Sequence, residues 1–483
     1  MDLNLTSTRK WTILVITSIS TFMATLDGSI VNIALPIMSN ELKVSINTVQ
    51  WVVTSYLLTI SILLLVWGRL SDIYGKKVIF SGGFLVFALG SALCSLTHAL
   101  PVLVIARVIQ AIGASAMMSL SQGIVTGTFS ASERGRALGF VGTMVALGSL
   151  VGPSLGGVLV NAFGWQSIFI INIPIGIIGA VLAFVIIPEL FEKQKGKAYD
   201  FKGTAAFTLF ILVLFLGLLF IQQGIISANF ILPTLLLSAA SLLMLIFIER
   251  HSASPLINLS LFKVNEFSFG LSSAFLSFIA ISSSLLFMPF YLQDLLKFSP
   301  LKAGLVISVY PITTAIVAPI SGWLSDKITY RPLTITGMCI ATVALFAMAT
   351  LNASSPIYLV IIYLILLGGG LAVFQSPNNS SIMGSVPRHQ LGIAGGLNAL
   401  FRNLGLVTGT TLSVLIFSFA TKLSISSISS GAVAGGIFTK GLSIVFVFDA
   451  ICCFAAVLIS LIRSIKNKPS SEIAQQSSVE QDS

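Results

Sequence analysis

The chain has 483 residues, 55% of them hydrophobic and only 9% charged, with 34 Phe and a mean hydropathy of +1.01. Soluble domains carry roughly 25% charged residues, so a water-soluble globular body is excluded. The net charge of +10 does not denote a nucleic-acid partner, because the basic residues are distributed as a bilayer would dictate.

Segments able to cross a bilayer, about 20 apolar residues each, recur along the whole chain. Fourteen spans are predicted, near 12–38, 49–68, 78–97, 101–125, 137–160, 165–188, 203–222, 229–249, 267–292, 302–325, 332–351, 356–383, 394–420 and 441–463. The first is too long for a signal-peptide core and no small-residue cleavage site follows it, so it is expected to remain as a span. With a cytoplasmic N-terminus, the outer side holds only Lys43, Lys297, Lys302, Lys422 and Lys440. Arg107 and Arg402 fall within spans, which leaves nineteen of the 26 Lys and Arg on the inner side. This positive-inside asymmetry places both termini in the cytoplasm. The expectation is an all-α polytopic protein of the cytoplasmic membrane. Cys94, Cys339, Cys452 and Cys453 lie in apolar stretches without metal or redox spacing and read as packing residues. No metal and no cofactor are expected, and no histidine lies inside a span to relay protons.

Span 1 contains "LDGSIVNIALP", with Asp27 about 22 Å along the axis from the inner end at 1.5 Å per residue. Burial raises a carboxyl pKa and a nearby cation lowers it, so a membrane acid beside a base can be brought into a titratable range. Two readings stand for Asp27: a proton-coupling group, or a structural acid permanently paired within the bundle. An ionisable residue inside a membrane span favours the first.

After span 2 comes "GRLSDIYGKK". Gly68, Asp72 and Gly75 fit a conformational latch, the acid facing the N-terminus of a neighbouring helix and the glycines permitting close approach and a tight turn. Lys76 belongs to the same loop. Span 13 begins on this side near Ala394, with Arg402 about two turns in, which makes span 13 one possible partner of Asp72. Span 4, "LVIARVIQAIGASAMM", places Arg107 some 9 Å deep, where it either snorkels outward or faces a polar wall with Gln110, Ala114, Met117 and Ser121. In span 5, "GSLVGPSLGG", Gly148, Gly152 and Gly156 repeat every four residues as a smooth face for close helix contact. Pro153 removes a backbone hydrogen bond and bends the helix. With Gly157 this reads as a bent helix at a moving interface.

The loop after span 10, "GWLSDKITYR", repeats Gly-x-Leu-Ser-Asp at Gly322–Asp326 in the topological place of Gly68–Asp72. Such an echo implies two parallel six-span halves, residues 1–190 and 263–466, separated at 191–262 by polar linkers and two extra spans. Residues 467–483 are Ser/Gln-rich and expected to be a disordered cytoplasmic tail. Span 12 carries "FQSPNNSS", a polar, Pro-broken stretch tolerated only when buried in protein or lining a cavity. Asn32, Gln110, Met117, Tyr310, Gln375, Asn378 and Asn379 are the candidate cavity residues. Asp449 in span 14 is a candidate second proton or cation site.

Taken together, these stretches resemble the fourteen-span drug:proton antiporter family of the major facilitator superfamily over essentially the whole chain. "LDGSIVNIALP" resembles the family's span 1 motif with Ser29 where Thr is usual. "VQWVVTSYLL", "GRLSDIYGKK", "ARVIQAIGA" and "GSLVGPSLGG" resemble its span 2, loop, span 4 and span 5 motifs. The resemblance implies a major facilitator fold of fourteen helices in the order six, two and six. It assigns Asp27 and Arg107 to proton coupling, Gly148–Gly157 to conformational exchange and Asp72 to gating. Members that handle dicationic drugs often carry further acids in span 13, and "GLNALFRNLGLVTGTTLSVLIF" carries none. The expected activity is proton-driven efflux of small amphipathic compounds by a monomer in the lipid bilayer. The alternative is an exporter or flippase of an endogenous lipid or metabolite. An enzyme is not expected, since the short linkers hold no catalytic cluster and no phosphate-binding loop.

Overall fold

The computed structural model describes residues 6–189, 199–222, 228–252, 254–422 and 435–466. The middle of the first linker and the expected tail at 467–483 lie outside these residues. Fourteen helices are long and apolar enough to cross a membrane: α1 Ser7–Glu41, α2 Trp51–Tyr74, α3 Lys76–Leu96, α4 Leu100–Thr128, α5 Arg134–Phe163, α6 Ser167–Ile186, α7 Phe201–Gln222, α8 Phe230–His251, α9 Asn265–Leu295, α10 Leu301–Ile328, α11 Tyr330–Met348, α12 Ile357–Gly384, α13 Arg388–Thr421 and α14 Gly436–Ser464. Among the described residues there is no strand, as expected where every backbone group must be satisfied within its own segment. Most helices exceed their predicted apolar cores because polar residues add turns at the ends. Thus α1 starts five residues early, where the Thr6 hydroxyl accepts from the Arg9 amide as an N-cap.

Packing follows one rule twice. In the first six helices, α1 packs on α4 and α5, α2 on α4, and α3 on α4 and α6. In the last six, α9 packs on α12 and α13, α10 on α12, and α11 on α12 and α14, the same contacts shifted by eight helices. The two groups meet where α13 crosses α2 and α4, and where α5 crosses α10 and α12. These crossings obey the same shift.

Helices α7 and α8 pack mainly on each other, and α7 reaches both groups, touching α2 and α13. The Thr411 hydroxyl of α13 donates to the Leu218 carbonyl of α7 at 3.3 Å. Helix α8 leaves Leu232, Leu236, Leu243 and Phe247 exposed, a face suited to lipid. Near the loop ends, Asp200 accepts from the Gly203 amide at 2.8 Å and Glu249 from the Ile257 amide at 3.1 Å.

That loop explains one glycine directly. Gly75 joins α2 to α3 at φ 105° and ψ 141°, a region that L side chains avoid. The echo places Thr329 at the equivalent junction between α10 and α11, with φ 77° and ψ 157°. A β-branched residue there stores about 1–3 kcal/mol of strain. Thr329→Gly relieves it at a smaller cost in unfolded-chain entropy, so thermal unfolding should show a stabilisation of about 1 kcal/mol.

Candidate functional site

Asp27 and Arg107 form an ion pair at 2.6 Å, with both side chains wholly inaccessible. Two carboxylate–base partners are not enough to satisfy such a burial, and the sequence supplies more. Arg107 Nε donates to the Val52 carbonyl at 3.0 Å and Nη1 to Gln110 Oε1 at 2.6 Å. Gln110 Nε2 donates to Asp27 Oδ1 at 2.8 Å and to Ser91 Oγ at 2.8 Å, and Asn172 Nδ2 reaches Asp27 Oδ1 at 3.1 Å. The Arg107 guanidinium lies 4.0 Å from the Tyr56 ring centroid, a cation–π contact. The pair thus gathers α1, α2, α3, α4 and α6 around one charge pair. Arg107 does not snorkel, because the carboxylate and a carbonyl hold its head inside the bundle. Of the Arg107 nitrogens, Nη2 has no hydrogen-bond partner among the described residues.

Asn172, Ser91 and Tyr56 escaped the sequence reading. Asn172 had a signal, since it is an amide inside the apolar run "FIINIPIGIIG". Tyr56 lay within the span 2 motif "VQWVVTSYLL" without being singled out, and Ser91 carried no signal that sets it apart from other span residues.

The last six helices hold two further polar clusters. Asp449 of α14 is fully buried, and its Oδ2 accepts a short hydrogen bond from the Ser283 hydroxyl of α9 while Oδ1 has no partner. No cation is paired with it among the described residues. Nearer the loops, Arg463 donates from Nε to Glu266 at 2.7 Å, from Nη1 to Asn378 Oδ1 at 2.8 Å and from Nη2 to Ser381. The Tyr330 hydroxyl donates to Glu266, and Asn378 Nδ2 donates to the Gly270 carbonyl at 3.0 Å. This cluster ties α9, α11, α12 and α14 together. Sequence reading put Arg463 at a span end as a topological charge and left Glu266 in a linker.

The two groups close on each other at the end of the bundle that carries Asp72, Lys76, Arg134 and Arg388, called here the basic end. A Cβ added at Gly68 would lie 2.6 Å from the Gly392 carbonyl oxygen, and one at Gly392 would lie 2.5 Å from the Gly68 oxygen. Asp72 faces the Gly392 and Ile393 amides that open α13, and Lys76 neutralises it at 2.8 Å. Across the seam the echo performs the same act. A Cβ at Gly322 would lie 2.1 Å from the Gly135 oxygen, and Asp326 accepts from the Gly135 and Arg136 amides of α5 at 2.8 and 2.9 Å. Each acid therefore meets the positive N-terminus of a helix from the other group. The opening turn of α13 is thus the partner that the sequence offered for Asp72.

The span 5 glycines make the close helix contact that their spacing predicts, and its partner is α1. Cβ atoms at Gly148, Gly152 and Gly156 would meet Phe22 O at 2.9 Å, Ser29 Oγ at 1.9 Å and Ile30 Cγ1 at 2.7 Å, all on α1. The stripe seats α5 against the turns of α1 that carry Asp27, within one group, while the seam contact uses Gly135 and Gly139. Gly157 meets nothing within 4 Å and Pro153 is exposed.

The cavity candidates separate in the same way. Met117 is packed inaccessibly against Gly83 between α3 and α4, Gln110 is consumed by the ion pair, and Asn378 by Arg463. None of these three lines an open surface, because each is enclosed by helices of its own group. Asn32 is exposed, while Tyr310, Gln375 and Asn379 are part-exposed. Asn398 of α13, absent from the candidates, donates to Gln122 of α4 at 2.7 Å and to Asn379 of α12 at 3.0 Å. These three amides form a floor just above the closed basic end.

The match to the Major Facilitator Superfamily family model spans residues 17–410 and 271–481. Riboflavin transporter RibZ of Clostridioides difficile is 37% identical over 85% of this chain and 89% of that protein. Multidrug resistance protein Stp of Mycobacterium tuberculosis is 30% identical over 82% of this chain and 74% of its own length. The tetracenomycin C resistance and export protein of Streptomyces glaucescens is 30% identical over 85% and 76%. Among solved structures, the proton:xylose symporter XylE superposes with a TM-score of 0.68 at 16% identity, covering 94% of this chain and 95% of that one, a likeness of fold. Shared helical order, motif positions and relatives converge, and the chain belongs to the major facilitator superfamily of membrane transporters.

Proposed function

We propose that this protein is a proton-coupled exporter of small amphipathic compounds, working as a monomer by alternating access across the cytoplasmic membrane. The observation that carries this reading is the buried Asp27–Arg107 pair, whose stability depends on a removable negative charge. In the reading, α1–α6 and α9–α14 are two six-helix halves, α7 and α8 are inserted, and both termini are cytoplasmic. The closed basic end then makes this the outward-facing state.

Protonation of Asp27 removes the charge that holds Arg107. It also weakens the hydrogen bonds from Gln110 and Asn172, since a carboxylate accepts more strongly than a carboxylic acid. Helices α1, α3, α4 and α6 lose a common tether, and α5 moves with α1 because its glycines are seated there. The interdigitated glycines at the basic end can then part and admit substrate from the cytoplasm. Substrate binding and return of the proton to the inner side complete the exchange. Asp449, buried with a hydroxyl and no cation, serves as a second protonatable site. Asp449→Asn is expected to fold normally, because a neutral amide replaces an acid whose partner is a hydroxyl. In liposomes it should lower the number of protons moved per substrate.

A second reading is favoured by one finding, the name riboflavin transporter carried by a 37% identical relative: the substrate is a single metabolite rather than a range of drugs. The deciding experiment is the purified chain in liposomes with an imposed pH gradient, challenged with lipophilic cations, neutral drugs, organic acids, flavins and lipids. Broad mutual competition supports drug efflux, and uptake confined to one metabolite supports the second reading. Gradient-independent equilibration of every compound overturns proton coupling.

A further inference from the structure

Arg402 lies one helical turn beyond Asn398 on α13, about 6 Å further from the basic end at 1.5 Å per residue. Asn398 marks the face of α13 turned to the seam, since it bonds to α4 and α12. The same one-turn step on those helices leads from Gln122 to Met118 and from Asn379 to Gln375. Arg402, Met118 and Gln375 are all part-exposed. Above the floor of amides there is therefore a layer with an arginine, an adaptable thioether and an amide. Phe401, beside Arg402, meets Phe275 of α9 with ring centroids 6.2 Å apart.

This arginine is unlike the others inside the bundle. Arg107 has Asp27, and Arg463 has Glu266. Arg402 has no carboxylate partner among the described residues. The two acids deep in the bundle are unavailable: Asp27 is inaccessible and held by three donors, and Asp449 is inaccessible on α14. Asp294 lies at the opposite end of α9. An uncompensated cation at such depth costs at least about 2.5–3.5 kcal/mol on insertion scales, and nothing in the described packing offsets it.

We infer that Arg402 is the substrate's charge-recognition residue, and that the compound carried is an amphipathic organic anion whose acidic group pairs with the guanidinium. Gln375 and the amide floor supply further donors, and the Phe275–Phe401 pair an apolar wall. The inference names the substrate class of the cavity and rests on its being the transport site. An anion leaving as a proton enters moves positive charge inward twice over, so export is driven by membrane potential as well as by the pH gradient.

The test uses three probes with one aromatic body: anthracene-9-carboxylate, 9-(aminomethyl)anthracene and the neutral 9-anthracenemethanol. Their equilibrium binding to the purified full chain in non-ionic detergent is read by fluorescence polarisation, without a proton gradient. A charge-assisted, bidentate contact predicts that the carboxylate binds about tenfold or more tighter than the amine and the alcohol. Arg402→Gln should remove that preference and leave the alcohol unchanged, and Arg402→Lys should retain part of it. Should the Gln variant fail to give a monodisperse protein, the wild-type ratio and the Lys variant decide the matter. Equal binding of amine and acid, equal binding of alcohol and acid, or full preference in Arg402→Gln overturns the inference. Asp27→Asn should keep the carboxylate preference, so failure of proton coupling and failure of this inference are told apart.

Discussion

Asp27→Asn should abolish concentrative transport while leaving substrate binding intact. With membrane potential clamped at zero, each proton moved per substrate contributes a factor of about ten to the steady-state gradient per imposed pH unit, since 1.36 kcal/mol separates each unit. In Asp27→Asn the ratio should fall to one at every imposed gradient. The variant also leaves Arg107 buried without its anion, and breaking a buried pair from one side costs about 3–5 kcal/mol. The asparagine oxygen still accepts from Arg107, so the loss falls below that range. Arg107→Gln should strand Asp27 in the same way, and the double variant should unfold later than the sum of the single losses requires. Thermal melts of the four proteins measure that coupling. Additive losses would mean that the two charges do not sense each other.

The second large effect concerns the closed end. Gly392→Val would place Cβ 2.4 Å from Ser71 Oγ, 2.5 Å from the Gly68 oxygen and 2.8 Å from Asp72 Oδ1. A backbone oxygen cannot rotate out of the way, so α13 must withdraw from α2. Overpacking of this kind costs about 1–3 kcal/mol, enough to shift a two-state equilibrium by about fivefold to a hundredfold toward the form open at the basic end. A single cysteine at Ser119, which Gly395 now covers, reports the change once the four native cysteines are replaced. Maleimide labelling from the cytoplasmic face of inverted vesicles should accelerate by about the same factor, and turnover should drop. Unchanged labelling would show that these glycines are not the barrier. Gly322→Val should act alike from the other side of the seam, where the Gly135 oxygen would be 2.1 Å away.

How far the fold could be read beforehand depended on whether a signal was local. Hydropathy is local, and all fourteen helices lie where apolar runs predict them. The repeated Gly-x-Leu-Ser-Asp is local too, and its two acids occupy matching sites. Asp27 and Arg107 were legible singly, because a charge inside an apolar run is conspicuous, and their depths in opposed helices brought them near each other. Partner choice was not legible. Asn172, Ser91 and Tyr56 enter the ion-pair network through the rotation of α6, α3 and α2, which no single helix encodes. Met117 misled because a polar-looking face of α4 is divided between the seam and α3, and Gly83 of α3 admits that methionine. The glycines of α5 announced close contact correctly, but the choice of α1 over a helix of the other group is a tertiary fact. Arg402 was visible from the start. Its want of an anion became apparent only when every neighbouring acid had been placed.

Infrared difference spectroscopy reads directly whether Asp27 exchanges a proton as access alternates. Purified protein in lipid is acidified, and the carbonyl stretch of newly protonated carboxylic acids is recorded for wild type, Asp27→Asn and Asp449→Asn. A band is expected in the wild type from which Asp27→Asn and Asp449→Asn each remove one component. A band that persists unchanged in Asp27→Asn would mean that this carboxylate stays ionised beside Arg107, and that the proton is carried elsewhere.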